Sequence, residues 1–270
     1  MWLNVQIFAE VCMKQTFIIP EIVKKAIPHI LTSGNLFCGA LAAVFAVQGL
    51  FEYVFWLVVI AAILDVFDGA AARALGVQSE FGVQLDSLAD MVTFGLVPGV
   101  VLFQLLQISF QPGFQMEPIS FGSPKTWLPY FGFLVTIFSA LRLAMFNIDK
   151  EQTSYFRGLP TPANTLLIIS LPMILKSGGF LHNYLLEPFG LLAIAIISSA
   201  LLVSRIPLFS LKVKSPFQIR DYILQIGIIL ISAVIIPLLG FTAIPIILFL
   251  YLILSVLFFR PESKVQRSNS

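Results

Sequence analysis

The chain has 270 residues, of which 58% are hydrophobic and only 11% are charged, against about 25% charge in an ordinary soluble domain. The net charge is +2 and the cysteines number two, Cys12 and Cys38. That excludes a nucleic-acid binder, which needs a basic stripe, and a disulfide-built scaffold. An integral membrane protein remains, and it is read as all-α because no alternation of the outer-membrane-barrel kind is present.

Residues 1–25 have no basic head before their apolar start and contain Glu10, so they are read as an N-terminal cytoplasmic or interfacial segment rather than a cleaved leader. Charge-free intervals then predict about eight transmembrane helices, near 27–48, 51–74, 84–108, 126–147, 160–177, 185–204, 220–238 and 241–259. The last two come from one interval, Tyr222 to Phe259, which is too long for one crossing; Pro237-Leu-Leu-Gly240 supplies the turn. Residues 26–259 thus form a single membrane-embedded domain, and 260–270 a polar tail expected to be disordered and cytoplasmic. Of the 16 lysines and arginines, all but Lys125 and Lys176 fall on the side of the termini. Both termini are therefore expected in the cytoplasm, with the chain in the cytoplasmic (inner) membrane.

Most of the chain is apolar packing material. The exception runs Asp65-Val-Phe-Asp68-Gly69-Ala-Ala-Ala72-Arg73, then eight residues, then Gly82-Val-Gln-Leu-Asp86-Ser-Leu-Ala-Asp90. Carboxylates in or beside membrane segments are costly and mark function by default. Asp65 and Asp68 are three apart and Asp86 and Asp90 four apart, so each pair shares a helix face. The short link from Ala74 to Phe81 makes the two helices antiparallel neighbours, which lets the pairs converge near the cytoplasmic surface. Four mutually repelling carboxylates need positive charge. Arg73 supplies part of it, and two divalent cations would supply the rest. An all-oxygen ligand set of Asp65, Asp68, Asp86 and Asp90 favours Mg²⁺ or Mn²⁺. Such sites serve displacement at phosphorus. Gly69 and Gly82 have no side chain; that admits a nucleotide close to the backbone and equally serves tight helix packing. Arg73 can grip a diphosphate while balancing the aspartates.

The pattern Asp-x2-Asp-Gly-x2-Ala-Arg-x8-Gly-x3-Asp-x3-Asp resembles the signature of the CDP-alcohol phosphotransferase family at all eight fixed positions, Asp65, Asp68, Gly69, Ala72, Arg73, Gly82, Asp86 and Asp90. The resemblance implies a helical membrane enzyme with its active site at the cytoplasmic helix ends. It implies transfer of a substituted phosphate from a CDP-linked donor to an alcohol with release of CMP. It further implies two divalent ions on the four aspartates, Asp90 doubling as the catalytic base, and a homodimer.

Three more segments resemble the branch of that family whose acceptor is L-serine: Ile27-Pro-His29-Ile-Leu-Thr32-Ser-Gly-Asn35-Leu-Phe-Cys38-Gly39, Arg142-Leu-Ala-Met145-Phe-Asn147, and Phe156-Arg157-Gly158-Leu-Pro160-Thr-Pro162-Ala163. His29 stands where the branch has asparagine, and Met145 where it has a second arginine. The implied donor is CDP-diacylglycerol, with its tails among membrane lipid, and the implied product is phosphatidylserine. Asn35 fits interhelical hydrogen bonding or a nucleotide contact. Arg142 fits an acceptor carboxylate or a lipid phosphate, or a positive-inside anchor. The rival readings are a family member using glycerol phosphate, inositol phosphate or choline, and, outside the class, a divalent-cation transporter. Clustering of the aspartates at one face opposes the transporter, which needs polar groups near the midplane.

Overall fold

The computed structural model describes residues 21–110, 120–148, 156–176, 187–204, 206–208 and 223–258. The tail at 260–270, most of the N-terminal segment and Cys12 lie outside the described residues. The architecture is all-α. The first helix, α1 (Glu21–Val47), begins several residues before the expected 27. Lys24 and Lys25 close the charge-free interval without breaking the helix, and Glu21 in the first turn complements the positive end of the helix dipole. The buried positions of α1 are Pro28, Thr32, Asn35, Gly39, Ala42 and Ala46, a stripe at alternating steps of four and three. Small and polar residues on that stripe let neighbouring helices approach closely.

A tight turn at Gly49, with φ 74°, leads into α2 (Phe51–Ala74), whose ends match the predicted span. The next helix, α3 (Glu80–Phe110), is the centre of the molecule: 72% of its apolar window is buried, against 22–28% for α1, α2 and α4 (Pro124–Ile148). Two shorter helices follow, α5 (Thr161–Lys176) and α6 (Pro188–Leu202). The last stretch divides at Gly240, φ 54°, into α7 (Ile223–Leu239) and α8 (Ala243–Phe258), at the turn read from the sequence. The core gathers Val54 and Val58 of α2, Phe94, Val101 and Leu105 of α3, Ile168 of α5 and Leu191 of α6.

Among the described residues five helical stretches are long and apolar enough to cross a membrane: Glu21–Val47, Phe51–Ala74, Glu80–Phe110, Pro124–Ile148 and Leu230–Ser255. At 16 and 15 residues, α5 and α6 fall short of the roughly 20 that a full crossing takes. The chain is a helical integral membrane protein; α1 to α8 overlap the eight intervals expected to cross, and five stretches among the described residues have crossing length.

One element was not foreseen. Phe156–Arg157 pairs antiparallel with Pro207–Leu208, tying the entry of α5 to the exit of α6. Gly158 N–H continues the pairing to Ile206 O at 3.0 Å, and Leu159 N–H reaches Leu201 O at 3.0 Å. Gly158 has φ 75°, and a Cβ there would sit 2.5 Å from Leu202 O. Both facts demand glycine in this motif.

Candidate active site

The site begins with how α2 stops. Gly76 takes φ 66°, Val77 N–H bonds Ala72 O at 3.0 Å and Gly76 N–H bonds Arg73 O at 3.2 Å, which closes the helix end. Three residues later Ser79 opens α3, its hydroxyl accepting from Gly82 N–H at 3.1 Å. This stop-and-start sets the two aspartate pairs against each other. Carboxylate oxygens of Asp65, Asp68 and Asp86 all lie within 4.8 Å of one another. Asp65 stands between the pairs, in contact with both Asp86 and Asp90. Three of the four aspartates thus converge as a trio, with Asp90 beside Asp65.

Neighbours fix each group. Thr32 of α1 donates to Asp68 Oδ2 at 2.5 Å, and Asp68 is only 4% exposed. Asn35, fully buried, donates from Nδ2 to Asp90 Oδ1 at 3.3 Å, while its Oδ1 accepts from Thr93 at 2.8 Å. Of its two sequence readings, the hydrogen bond between helices is the one these contacts display. The exposed Arg73 folds back along α2, where a Cβ on Gly69 would meet its Nη1 at 3.3 Å. Its charge acts on Asp68. A Cβ on Gly82 would meet Ser79 Oγ at 3.2 Å and His29 Cε1 at 3.4 Å. His29 also packs edge-on against Phe81, ring centres 5.3 Å apart. Both signature glycines thus make room for a neighbouring side chain.

Arg142 of α4 is 8% exposed, its Nε lacks a hydrogen-bond partner, and its charge acts on Asp90. Its neighbour in the same motif, Asn147, bonds Ser87 at 2.9 Å and so ties the end of α4 to α3 between Asp86 and Asp90. Asn164 near the start of α5 is fully buried with neither amide atom partnered.

Sequence reasoning missed Thr32, Thr93, Ser87 and Asn147. Thr32, Asn35 and Gly39 do carry a signal, the seven-residue repeat of the α1 stripe, which marks them as one face.

The carboxylate group fits a divalent cation on its donor chemistry. The ligands are all oxygen, they converge, and Asp86 Oδ1 is buried with no hydrogen-bond partner to satisfy it. Residues 25–204 match the sequence profile of the CDP-alcohol phosphatidyltransferase family. The chain belongs to that family. Its members generally use divalent metals. The match ends before α7, so every site residue named above falls inside it.

Among curated proteins, the chain is similar to the CDP-diacylglycerol–serine O-phosphatidyltransferase of Helicobacter pylori, 30% identical over 199 residues, covering 73% of this chain and 77% of the relative. It is similar to the enzyme of that name from Bacillus subtilis, 30% identical over 169 residues, covering 59% of this chain and 85% of the relative. The one from Mycobacterium leprae is 29% identical over 220 residues, covering 78% and 68%.

Proposed function

We propose that this chain transfers the phosphatidyl group of CDP-diacylglycerol to the hydroxyl of L-serine, making phosphatidylserine and releasing CMP. The observation that carries this is the set of converging carboxylates on α2 and α3 in a chain whose family relatives bear that name. Two divalent cations, Mg²⁺ or Mn²⁺, held by Asp65, Asp68, Asp86 and Asp90, would neutralise the diphosphate and the departing CMP.

The protein's own groups do the rest. Asp90 takes the proton from the serine hydroxyl. The serine oxygen forms its bond to the lipid-linked phosphorus as the bond to CMP breaks. Arg73, lying over Gly69 beside Asp68, grips the diphosphate, and Gly69 and Gly82 border the nucleotide. Arg142 supplies a buried cation with a free N–H beside Asp90, suited to an anionic group of the reactants, the serine carboxylate or the lipid phosphate. We assign the site to the cytoplasmic face of the inner membrane, with both termini inside and a homodimer as the working unit.

The test is CMP release by purified protein with CDP-diacylglycerol and a panel of acceptors. Release with serine, and not with glycerol phosphate, inositol phosphate or choline, is the expected pattern. Release driven by one of the others would reassign the acceptor.

A further inference from the structure

We propose that Thr93 is a positioning residue for Asp90, acting through Asn35 from a widened turn of α3. This rests on Asp90 serving as the base.

The widened turn comes from the sequence. Pro98 has no N–H, so the carbonyl of Phe94, four residues earlier, loses its usual helical donor. The segment Met91–Leu96, directly after Asp90, takes the wider π-helical form. Hydroxyls from two other helices hold it open: Thr165 of α5 donates to Phe94 O at 2.8 Å, and Thr136 of α4 donates to Gly95 O at 3.0 Å. Turns of this kind concentrate at functional sites.

Thr93 leaves this turn toward α1, fully buried. It reaches Asn35 because α1 has a glycine at the crossing. A Cβ on Gly39 would lie 2.2 Å from Thr93 Oγ1. The polarity of the chain is then fixed. An ionised carboxylate only accepts, so Asn35 must turn Nδ2 toward Asp90. Its Oδ1 then needs a donor in a place with no access to water, and the Thr93 hydroxyl, 2.8 Å from that Oδ1 and 3.2 Å from the Asn35 backbone oxygen, favours it as the nearer acceptor. The result holds Asp90 Oδ1 in one orientation, and with it the carboxylate that meets the acceptor hydroxyl. Small misplacements of a reacting group are expensive in rate, which gives such a relay its value.

The experiment compares Thr93→Val, Thr93→Ser, Asp90→Asn and the double variant Thr93→Val/Asp90→Asn as purified, full-length protein. Three quantities are read: kcat with serine, KM for CDP-diacylglycerol, and the rise in melting temperature on adding Mg²⁺ or Mn²⁺ without substrate. Thr93→Val should lower kcat about 10–100-fold, the usual effect of losing a group that orients a reacting side chain. The donor KM should stay as in the parent, and the cation-induced thermal shift should fall by much less than kcat, because Asp90 is one cation ligand of four. Thr93→Ser keeps the hydroxyl and should restore most of the rate. The double variant should be no slower than Asp90→Asn, because Thr93 acts through that carboxylate.

Full kcat in Thr93→Val would overturn the proposal. So would loss of the thermal shift in parallel with kcat, a Ser variant as slow as Val, or multiplying losses in the double variant. If Asp90→Asn itself keeps full turnover, the base assignment fails and the relay with it. If Asp90→Asn is slow while Thr93→Val is fast, only the relay fails. Should Thr93→Val not yield folded protein, Thr93→Ala, which only removes atoms, is read by the same criteria.

Discussion

Thr32 and Asp68, thirty-six positions apart on adjacent helices, meet in a 2.5 Å hydrogen bond from the threonine hydroxyl to the aspartate Oδ2. The bond selects one orientation of a buried carboxylate.

Removing that bond should loosen cation binding before it touches chemistry. Thr32→Val keeps the shape and deletes the donor. We expect cation affinity to fall about 10–100-fold, as for other groups that orient metal ligands. Turnover should recover at high cation concentration. A titration of activity and thermal shift against Mg²⁺ and Mn²⁺ checks both, and unchanged cation affinity would contradict the assigned role.

The converging carboxylates themselves should be indispensable. Asp65→Asn, Asp68→Asn and Asp86→Asn remove charge with almost no change of shape. Each should abolish divalent-dependent turnover while the helical circular dichroism and the elution of the purified protein stay as in the parent. Near-normal rates in any two, with unaltered cation dependence, would defeat the site.

The small antiparallel pairing at Phe156–Arg157 makes a prediction about stability alone. Gly49 and Gly158 have almost the same φ, 74° and 75°, but a Cβ at Gly49 meets nothing within 4 Å while one at Gly158 meets Leu202 O at 2.5 Å. Gly49→Ala should cost only the conformational strain, about 1–3 kcal/mol. Gly158→Ala should cost clearly more, because backbone at the end of α6 must also move. Melting temperatures of the two variants in one detergent decide it, and equal losses would show that the contact is relieved without cost.

How much of this was legible beforehand depended on whether covalent spacing or packing did the work. The convergence of Asp65, Asp68 and Asp86 follows from helical period plus a short link, so it could be read directly. The span at 51–74 was readable because charge and glycine punctuate both ends. The start of α3 was placed at 84 rather than Glu80 because hydropathy ignores the Ser79 cap, which acts through a hydroxyl. The widened turn after Asp90 was invisible, since a proline at 98 signals only a lost donor. Which hydroxyls replace it depends on how α4 and α5 pack. The clamp at Gly158 was likewise hidden, because the carbonyls crowding it belong to Leu201, Leu202 and Ser204, more than forty positions away.

The proposed orientation in the membrane rests on charge alone and is open to a direct check. With both termini in the cytoplasm, a cysteine replacing Ser268 should resist an impermeant thiol reagent applied to intact cells and react once the cells are opened. Labelling from outside would invert the topology and move the carboxylates to the wrong face for a cytoplasmic nucleotide.

The most direct measurement of the central claim follows the oxygen of the acceptor. Purified protein is given CDP-diacylglycerol, a divalent cation and L-serine carrying ¹⁸O in its hydroxyl, and both products are weighed by mass spectrometry. Attack of that oxygen on the lipid-linked phosphorus predicts phosphatidylserine that retains the label and an equal amount of unlabelled CMP. Absence of a serine-containing lipid, or label appearing in CMP, would contradict it.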